Sequence, residues 1–552
     1  MDFIISKEDK LCLKKIIIEI SSQSNINPNH ITKIFNKYKI KSGIKLNKAF
    51  ILKYYNYLTE HKLINFNETQ KQVFLNNIKT KGIRTLSGVT TVTVMTRPYP
   101  CPGNCIYCPN DPKVPKSYIS NEPGAQRAIQ NNFDPYLQVA NRLQAYVNTG
   151  HPIGKIELII IGGTWSFYEP KYQVWFIRRC FEALNGFKKR NMKSILKSNE
   201  MYSLKKELRI LKSAHFNNES TLSRCVGLSI ETRPDYINKK HLIFLRSLGI
   251  TKIQLGVQST NDRILKNINR GHTSKDTVEA IKLLRSMGFK IQIHWMPNLP
   301  GNNPKRDFKE YLKIFSSDKF KPDEIKIYPC SLVKNTSLEE LYIKGKWKPY
   351  NKKTLINLLI KCLINTPRYC RITRMIRDIS SEDILAGNKK SNLRQDVENL
   401  SFSKVVEEIR YREIKNKYDI NQKPVYKHYV YNTTSGKEYF LEYTTVNNKL
   451  LGFLRLHIPN RNTSTIDELL NSAIIREIHI YGQSLEINNM KRNNSVQHMG
   501  LGKKLLEKAI LISKKRGVKR LSVISSVGTR QYYRSRGFID GPLYQYLDLL
   551  TV

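Results

Sequence analysis

The stretch CPGNCIYC, residues 101–108, puts three of the chain's nine cysteines into eight positions, directly after the alternating run VTTVTVM at 89–95. The spacing is Cys101-x3-Cys105-x2-Cys108, in the loop that leaves a predicted first strand. Thiolates are soft ligands, and three in one loop suit zinc or an iron–sulfur cluster. A structural zinc takes four closed ligands. No neighbouring cysteine or histidine supplies the fourth, so a zinc site would need completing from far along the chain. A cubane held by three thiolates instead keeps one iron open to another ligand.

Outward from this loop, strand-like runs alternate with helical patterns. The runs are VTTVTVM (89–95), KIELIII (155–161), CVGLSI (225–230), KIQLGV (252–257), KIQIHWM (290–296) and EIKIYP (324–329), read as near-continuously apolar. Between them lie segments such as DPYLQVANRLQAYVNTG and SKDTVEAIKLLRSMGFK, apolar at helical spacing. Six β-then-α units predict an α/β fold, a parallel sheet closing into a partial or complete β/α barrel. Such barrels keep their chemistry at the C-terminal strand ends, where the cysteines fall.

The flanks read differently. Residues 1–80 read as short amphipathic helices whose lysines, interleaved with Tyr54, Tyr55 and Tyr57, suit phosphate contacts and base stacking, against a small helical domain with core aromatics and solvated lysines as the plain reading. The barrel is expected over 81–390, and a polar, charged connector over 391–430. An α+β domain is expected over 431–552, with strands EYFLEYTT, LLGFLRLHI, AIIREIHIYG and RLSVISS around the helix KKLLEKAILISKKRG.

The chain carries 93 Lys+Arg against 45 Asp+Glu, a net charge of +48. That excess attracts polyanions, nucleic acid first and an anionic membrane surface second. No apolar run approaches the ~18–20 residues that span a bilayer. Asp2, Glu8 and Asp9 near the N-terminus argue against a secretory or transit peptide. The other six cysteines show no disulfide-framework spacing, so a reducing, cytoplasmic location is expected.

The C-x3-C-x2-C loop after a first β/α strand is similar to that of the radical S-adenosylmethionine (SAM) superfamily. The resemblance implies a [4Fe-4S] cluster on Cys101, Cys105 and Cys108 whose open iron is chelated by SAM, which is then cleaved to a 5′-deoxyadenosyl radical. Gly162-Gly163, in IIIGGTWS, resembles the glycine-rich stretch that meets the SAM amino group. Glu231 and Arg233 in SIETRPD and Gln258 in LGVQS are candidate SAM or substrate contacts, with ordinary loop-capping as the other reading. Further on, Gln497-His498-Met499-Gly500-Leu501-Gly502-Lys503 resembles the Q/R-x-x-G-x-G/A turn of GNAT acetyltransferases, where helix-start N–H groups take the CoA pyrophosphate. REIHIYG (476–482) resembles the strand that pairs with the pantetheine arm. Tyr533, with Tyr532 beside it, resembles the tyrosine near the thioester, against core packing as the plain reading.

Both halves in this order, with CPGNCIYCPNDPKVPKSY, EPGAQRAI, IETRPDYI, LGVQS, NRGHTS, SNLR and TRQYYRSRGF, resemble the family of Elongator catalytic subunits, the tRNA carboxymethyluridine synthases. The family implies conversion of the anticodon wobble uridine to 5-carboxymethyluridine with acetyl-CoA and SAM. A radical is formed on the acetyl methyl, adds to uracil C5, and the thioester is hydrolysed. It implies a tRNA anticodon stem-loop as partner, no membrane, and accessory subunits in some members. Its acetyl-CoA contacts fall on Lys155, Glu477, Ile478, His479, Ile480, Leu501, Gly502, Lys503 and Tyr533. VVEEIRYREI (405–414) lacks the cysteines that in some members help to bind zinc, and no zinc is expected. The alternative is a protein lysine acetyltransferase with a structural cluster and Glu477 as base. A methylthiotransferase would need a second cysteine group, which the sequence lacks.

Overall fold

Seven parallel strands curl into an open half-barrel. They are β1 (Thr90–Met95), β2 (Lys155–Ile161), β3 (Arg224–Thr232), β4 (Lys252–Gln258), β5 (Lys290–Trp295), β6 (Glu324–Ile327) and β8 (Arg371–Arg374), hydrogen-bonded in that order. Between β6 and β8, β7 (Leu332–Val333) pairs with β9 (Ile384–Ala386) in a separate two-stranded ribbon. The structure is a computed structural model and describes residues 5–23, 27–38, 40, 46–78, 88–187, 200–390, 392–401, 404–414, 422–460, 463, 466–481 and 500–550. The partial barrel is the expected architecture, but its seventh strand, β8, was not expected. RITR carries one apolar residue in four, so no local pattern marks it. Fully buried Ile372 and the parallel ladder to β6 decide it.

The barrel strands are not uniformly apolar, which corrects the sequence reading. In β4, Ile253, Leu255 and Val257 are fully buried, whereas Lys252, Gln254, Gly256 and Gln258 line the barrel lumen. Strand β5 repeats this, with Lys290, Gln292 and His294 facing the lumen, and so does β6, with Glu324 and Lys326. Successive side chains point to opposite faces, so one strand serves an apolar shell and a polar interior at once.

The second sheet contains β10 (Val425–Thr433), β11 (Gly436–Thr444), β12 (Leu450–Pro459), β13 (Ser472–Ile480), β14 (Arg520–Val523), β15 (Ile539–Asp540) and β16 (Gln545–Asp548). Its order is β10-β11-β12-β13-β14-β16-β15, antiparallel throughout except for the parallel pair β13–β14. The helix Leu501–Lys515 covers one face, burying Leu501, Leu505 and Ala509 against Leu441, Leu454 and Ile475. Strand β10 begins inside the expected connector; it is an edge strand whose residues are mostly exposed, Val425, Tyr429 and Val430 among them. That stretch also holds the helix Leu393–Leu400, fastened by Arg394 to Glu398 and Glu408 at 2.6 Å each.

The other face of the second sheet lies on the floor of the barrel, at the N-terminal ends of its strands. Ile474, Ile524, Val527 and Tyr544 join the same hydrophobic cluster as the barrel core. Asp323, just before β6 and wholly buried, ties the two together. It accepts from the Ile291 amide at 2.8 Å and from Arg476 Nη1 at 3.0 Å, with Arg455 Nη1 at 3.5 Å. Arg476 reaches on to the Phe289 carbonyl at 3.0 Å and Glu438 at 2.9 Å.

Before the barrel, helices Lys7–Ser22, Pro28–Lys37, Lys48–Glu60 and Glu68–Ile78 enclose a small core of Leu13, Ile16, Ile20, Ile34, Ile51 and Phe74. Tyr54 and Tyr55 belong to that core, so they are not the base-stacking surface the sequence suggested; Tyr57 is half-buried. Among the described residues no helix is long and apolar enough to cross a membrane.

Removing one partner of a buried ion pair strands the other charges, at a cost of about 3–5 kcal/mol. Asp323→Ala is therefore expected to lower stability by about that amount in chemical denaturation, and to separate the unfolding of the second sheet from that of the barrel in calorimetry.

Candidate active site

The cysteine loop is held by the two residues between its last cysteines. Ile106 donates its amide to the Ile268 carbonyl at 3.2 Å and accepts from the Leu338 amide at 2.9 Å. Ile106 and Tyr107 pack on a satellite core of Ile264, Leu265, Ile268, Leu299 and Trp347. A turn closed by the Cys108 amide on the Cys105 carbonyl, at 3.1 Å, leaves the three thiols lining the cavity. All three are free. Among the described residues no three His, Cys, Asp or Glu side chains converge on one point as a single metal ion would require. A cubane spreads its thiolates over three irons and has no such requirement. Three soft thiolates in one loop suit a cluster. The Cys105 thiol is pulled down to about 5 by its hydrogen bond with Cys108 and by the Arg270 guanidinium, against the effect of burial.

Gly162 and Gly163 close β2 with φ of 124° and 61°, a left-handed path that suits glycine. A Cβ on Gly162 would strike the Thr96 side chain, and Gly163 lines the cavity beside Cys101. Glu231, at the end of β3, is not open to a ligand on all sides. It accepts from Tyr118 at 2.9 Å and from Lys326 at 3.1 Å. Burial opposes its ionisation, but the Lys326 charge with the hydrogen bonds from Tyr118 and Lys326 together hold the carboxyl at about 2. Lys326 also donates to Gln254 at 2.6 Å, and burial keeps His294 beside them neutral, its pKa at about 3. Gln258 lines the same cavity from a left-handed backbone, φ 66°.

Below this level the lumen floor is a ladder of alternating charges. Lys252 meets Glu157 at 2.8 Å and Glu324 at 3.1 Å; Lys290 meets Glu324 at 2.7 Å and Glu477 at 2.6 Å; Arg455 meets Glu477 at 2.8 Å. Glu477 and His479 come from β13, which carries one extra residue, Arg476, opposite Arg455 and Leu456. The bulge reverses the parity of the strand, so Glu477 and His479 face the barrel while Ile478 and Ile480 pack towards the covering helix. Burial opposes ionisation of Glu477, but Lys290 and Arg455 hold it at about 2. At the start of the helix, Gly500 is left-handed (φ 65°), and Gly502 lies against Tyr532, where a Cβ would come within 3.0 Å of the phenol oxygen. Leu501 is buried in the core, so only its backbone can reach a ligand, and the Lys503 side chain is exposed. Tyr533 is buried edge-on to Tyr532, and burial keeps its hydroxyl protonated. One cavity of about 1500 Å³ is lined by the three cysteines, by the lumen residues, and by Glu477, His479 and Tyr533.

This arrangement has close relatives. Residues 99–313 match the Radical SAM superfamily, 322–400 the Radical SAM C-terminal domain, and 406–538 the acetyltransferase (GNAT) family. A tRNA uridine(34) acetyltransferase of Methanocaldococcus jannaschii is 37% identical over 488 residues, covering 85% of this chain and 86% of that protein. The Elongator complex protein 3 of Homo sapiens is 34% identical, covering 86% of each. The solved structure of the archaeal Methanocaldococcus infernus Elp3 with an N-terminal deletion superposes with a TM-score of 0.69, at 34% identity, over 84% of this chain and 99% of that one. The chain belongs to the Elongator protein 3 family.

Of the residues matched to this family's acetyl-CoA contacts, Glu477, Ile478, His479 and Tyr533 line the cavity, and Lys155, Ile480, Leu501, Gly502 and Lys503 do not. Lys155 heads β2 beside Arg224 on β3, next to the 527–529 turn of the second sheet, and is outside the cavity lining. Gln497 lies outside the described residues. Conversely, sequence reasoning passed over Arg270, whose Nη1 is 3.5 Å from Cys105 Sγ, and over the lumen set Gln254, His294 and Lys326. A signal existed for the lumen. The strands KIQLGVQ, KIQIHW and EIKI all place polar residues at alternate positions.

Depressed carboxyl values make stability pH-dependent in a defined window. Glu231 and Glu477 sit at about 2 when folded, against 4.5 unperturbed. Their contribution is complete above pH 4.5 and is lost as pH falls through about 2. For Glu231→Gln, the stability deficit relative to the parent protein, about 3 kcal/mol at neutral pH, is expected to shrink across that window in urea titrations.

Proposed function

We propose that this protein converts the wobble uridine of tRNA to 5-carboxymethyluridine, using acetyl-CoA and SAM. The observation that carries the reading is the single cavity joining the three-cysteine loop to His479 and Tyr533 of the acetyltransferase half. Two separate activities would not require a shared chamber; transfer of an acetyl-derived carbon onto a base does. When bound, the cluster and SAM supply one-electron chemistry able to take a hydrogen atom from an unactivated methyl group.

The chain's own residues bind and orient. Cys101, Cys105 and Cys108 would hold the cluster, and Gly162-Gly163 would let SAM approach the backbone. Gly500 to Gly502 would present helix-start N–H groups to the CoA pyrophosphate. The protonated Tyr533 hydroxyl is a donor suited to a thioester oxygen or a leaving thiolate. Lys116, Arg127, Arg374 and Arg410 line the cavity, where phosphates flanking a splayed-out base would pass. The helical unit at 1–80, with Lys7, Lys15, Lys33 and Lys62 exposed, supplies further positive charge for the tRNA.

Protein lysine acetylation fits less well. A base for an ammonium group needs a pKa near the working pH. Glu477 sits at about 2 and is already paired with Lys290 and Arg455.

Anaerobic incubation of the iron-reconstituted protein with tRNA, SAM, a reductant and methyl-labelled acetyl-CoA should place the label in carboxymethyluridine, read by nucleoside mass spectrometry. Acetylated protein with no labelled nucleoside would overturn the proposal. Deleting residues 1–80 is expected to weaken tRNA binding by about tenfold or more and to flatten the dependence of log affinity on log salt. An unchanged slope would move the binding surface to the cavity rim.

A further inference from the structure

Two arginines outside the cysteine motif are built against its loop. Arg270 is buried and follows a left-handed turn at Asn269. Its Nε and Nη2 both donate to the Gly256 carbonyl, at 3.2 and 2.6 Å, which leaves Nη1 directed at Cys105 Sγ, 3.5 Å away. Arg233 is 4% exposed and clamped by Asp235, Nε to Oδ1 at 3.0 Å and Nη2 to Oδ2 at 2.8 Å. Its Nη1 is buried without a hydrogen-bond partner and lies against Gly103, inside the cysteine loop. Glycines clear the space for both: a Cβ on Gly103 would strike Arg233 Nη1, and one on Gly256 would come within 2.6 Å of Arg270 Nη2. Each guanidinium is fixed on its far side and offers one remaining N–H edge to the thiol loop.

We propose that Arg270 and Arg233 form a cationic collar that raises the reduction potential of the cluster held by this loop, Arg270 acting through a hydrogen bond to Cys105. The inference rests on the cluster reading above. A cubane on three thiolates is anionic, and one-electron reduction adds a further negative charge. Buried cations and N–H donors at the sulfurs favour that reduced form, because net charge and hydrogen bonds to sulfur set the potential. Arg233 and Arg270 are thus positioning and tuning residues, not groups that react.

The test is a redox titration of the reconstituted full-length protein without SAM, followed by electron paramagnetic resonance, with iron content measured on each sample. For Arg270→Met, the reduced-to-oxidised ratio at a fixed ambient potential should fall about tenfold, equivalent to about 59 mV for one electron. Arg270→Lys, which keeps the charge, should recover much of the loss. Arg233→Met tests the second cation on its own. Gly256→Ala keeps both charges but displaces Arg270 from Cys105, and it should shift the potential in the same direction as Arg270→Met. Iron-loaded variants with the parent midpoint would overturn the collar alone. Parent protein that takes up no iron would overturn the cluster reading and the collar with it.

Discussion

The buried Asp323 carboxylate is the joint on which this molecule turns. It lies at the entrance to β6 on the barrel floor, yet two of its partners, Arg455 and Arg476, belong to the second sheet. A carboxylate with no solvent exposure must be paired, and here pairing is possible only when the two sheets are docked. From Asp323 the charges alternate in both directions. One arm runs through Arg476 to Glu438, and the other through Arg455, Glu477, Lys290, Glu324 and Lys252 to Glu157. Each member is stranded if its neighbour moves, so the floor of one domain and the face of the other act as a single rigid surface. Hydrophobic burial alone, from Ile474, Ile524 and Tyr544, would hold the sheets together without fixing their register.

That register decides what the cavity contains. The bulge at Arg476 adds one residue to β13 and swaps the faces that follow it. Glu477 and His479 therefore look into the barrel, and Ile478 and Ile480 look at the covering helix. The barrel contributes its own alternation, with apolar residues outward and Lys, Gln and His inward. The result is a polar chamber lined by the cysteines and, at its floor, by the GNAT acetyltransferase sheet.

The cysteine loop was legible because its three ligands are contiguous and the adjoining Ile106-Tyr107 pair anchors it locally. The glycine turns were legible for a similar reason, since left-handed backbone at Gly162, Gly163 and Gly500 leaves a mark in the sequence. Strand β8 was not, because RITR has a single apolar side chain and takes its place only from the β6 ladder. Strand β10 went unmarked because VYKHYVYNT exposes Val425, Tyr429 and Val430 alongside Lys427 and His428, so no alternation of buried and exposed residues sets it off. Tyr54 and Tyr55 lie among lysines in the sequence, which leaves surface and core equally open, and packing in a small helical core takes them inward.

By itself, the sequence determined which groups are available: three thiols with no fourth beside them, a glycine turn at a helix start, a strongly basic chain, and an order of motifs shared with one family. These are properties of residue type and short spacing, and neither depends on distant parts of the chain. Tertiary structure alone decided that the cysteine loop and the second sheet's Glu477, His479 and Tyr533 line one cavity, that Glu477 is held in ion pairs, and that Arg270 and Arg233 reach the cysteine loop. Those facts rest on contacts between residues tens to hundreds of positions apart, such as Lys290 with Glu477 and Arg270 with Cys105. Only the closing of the fold brings such groups within hydrogen-bond range.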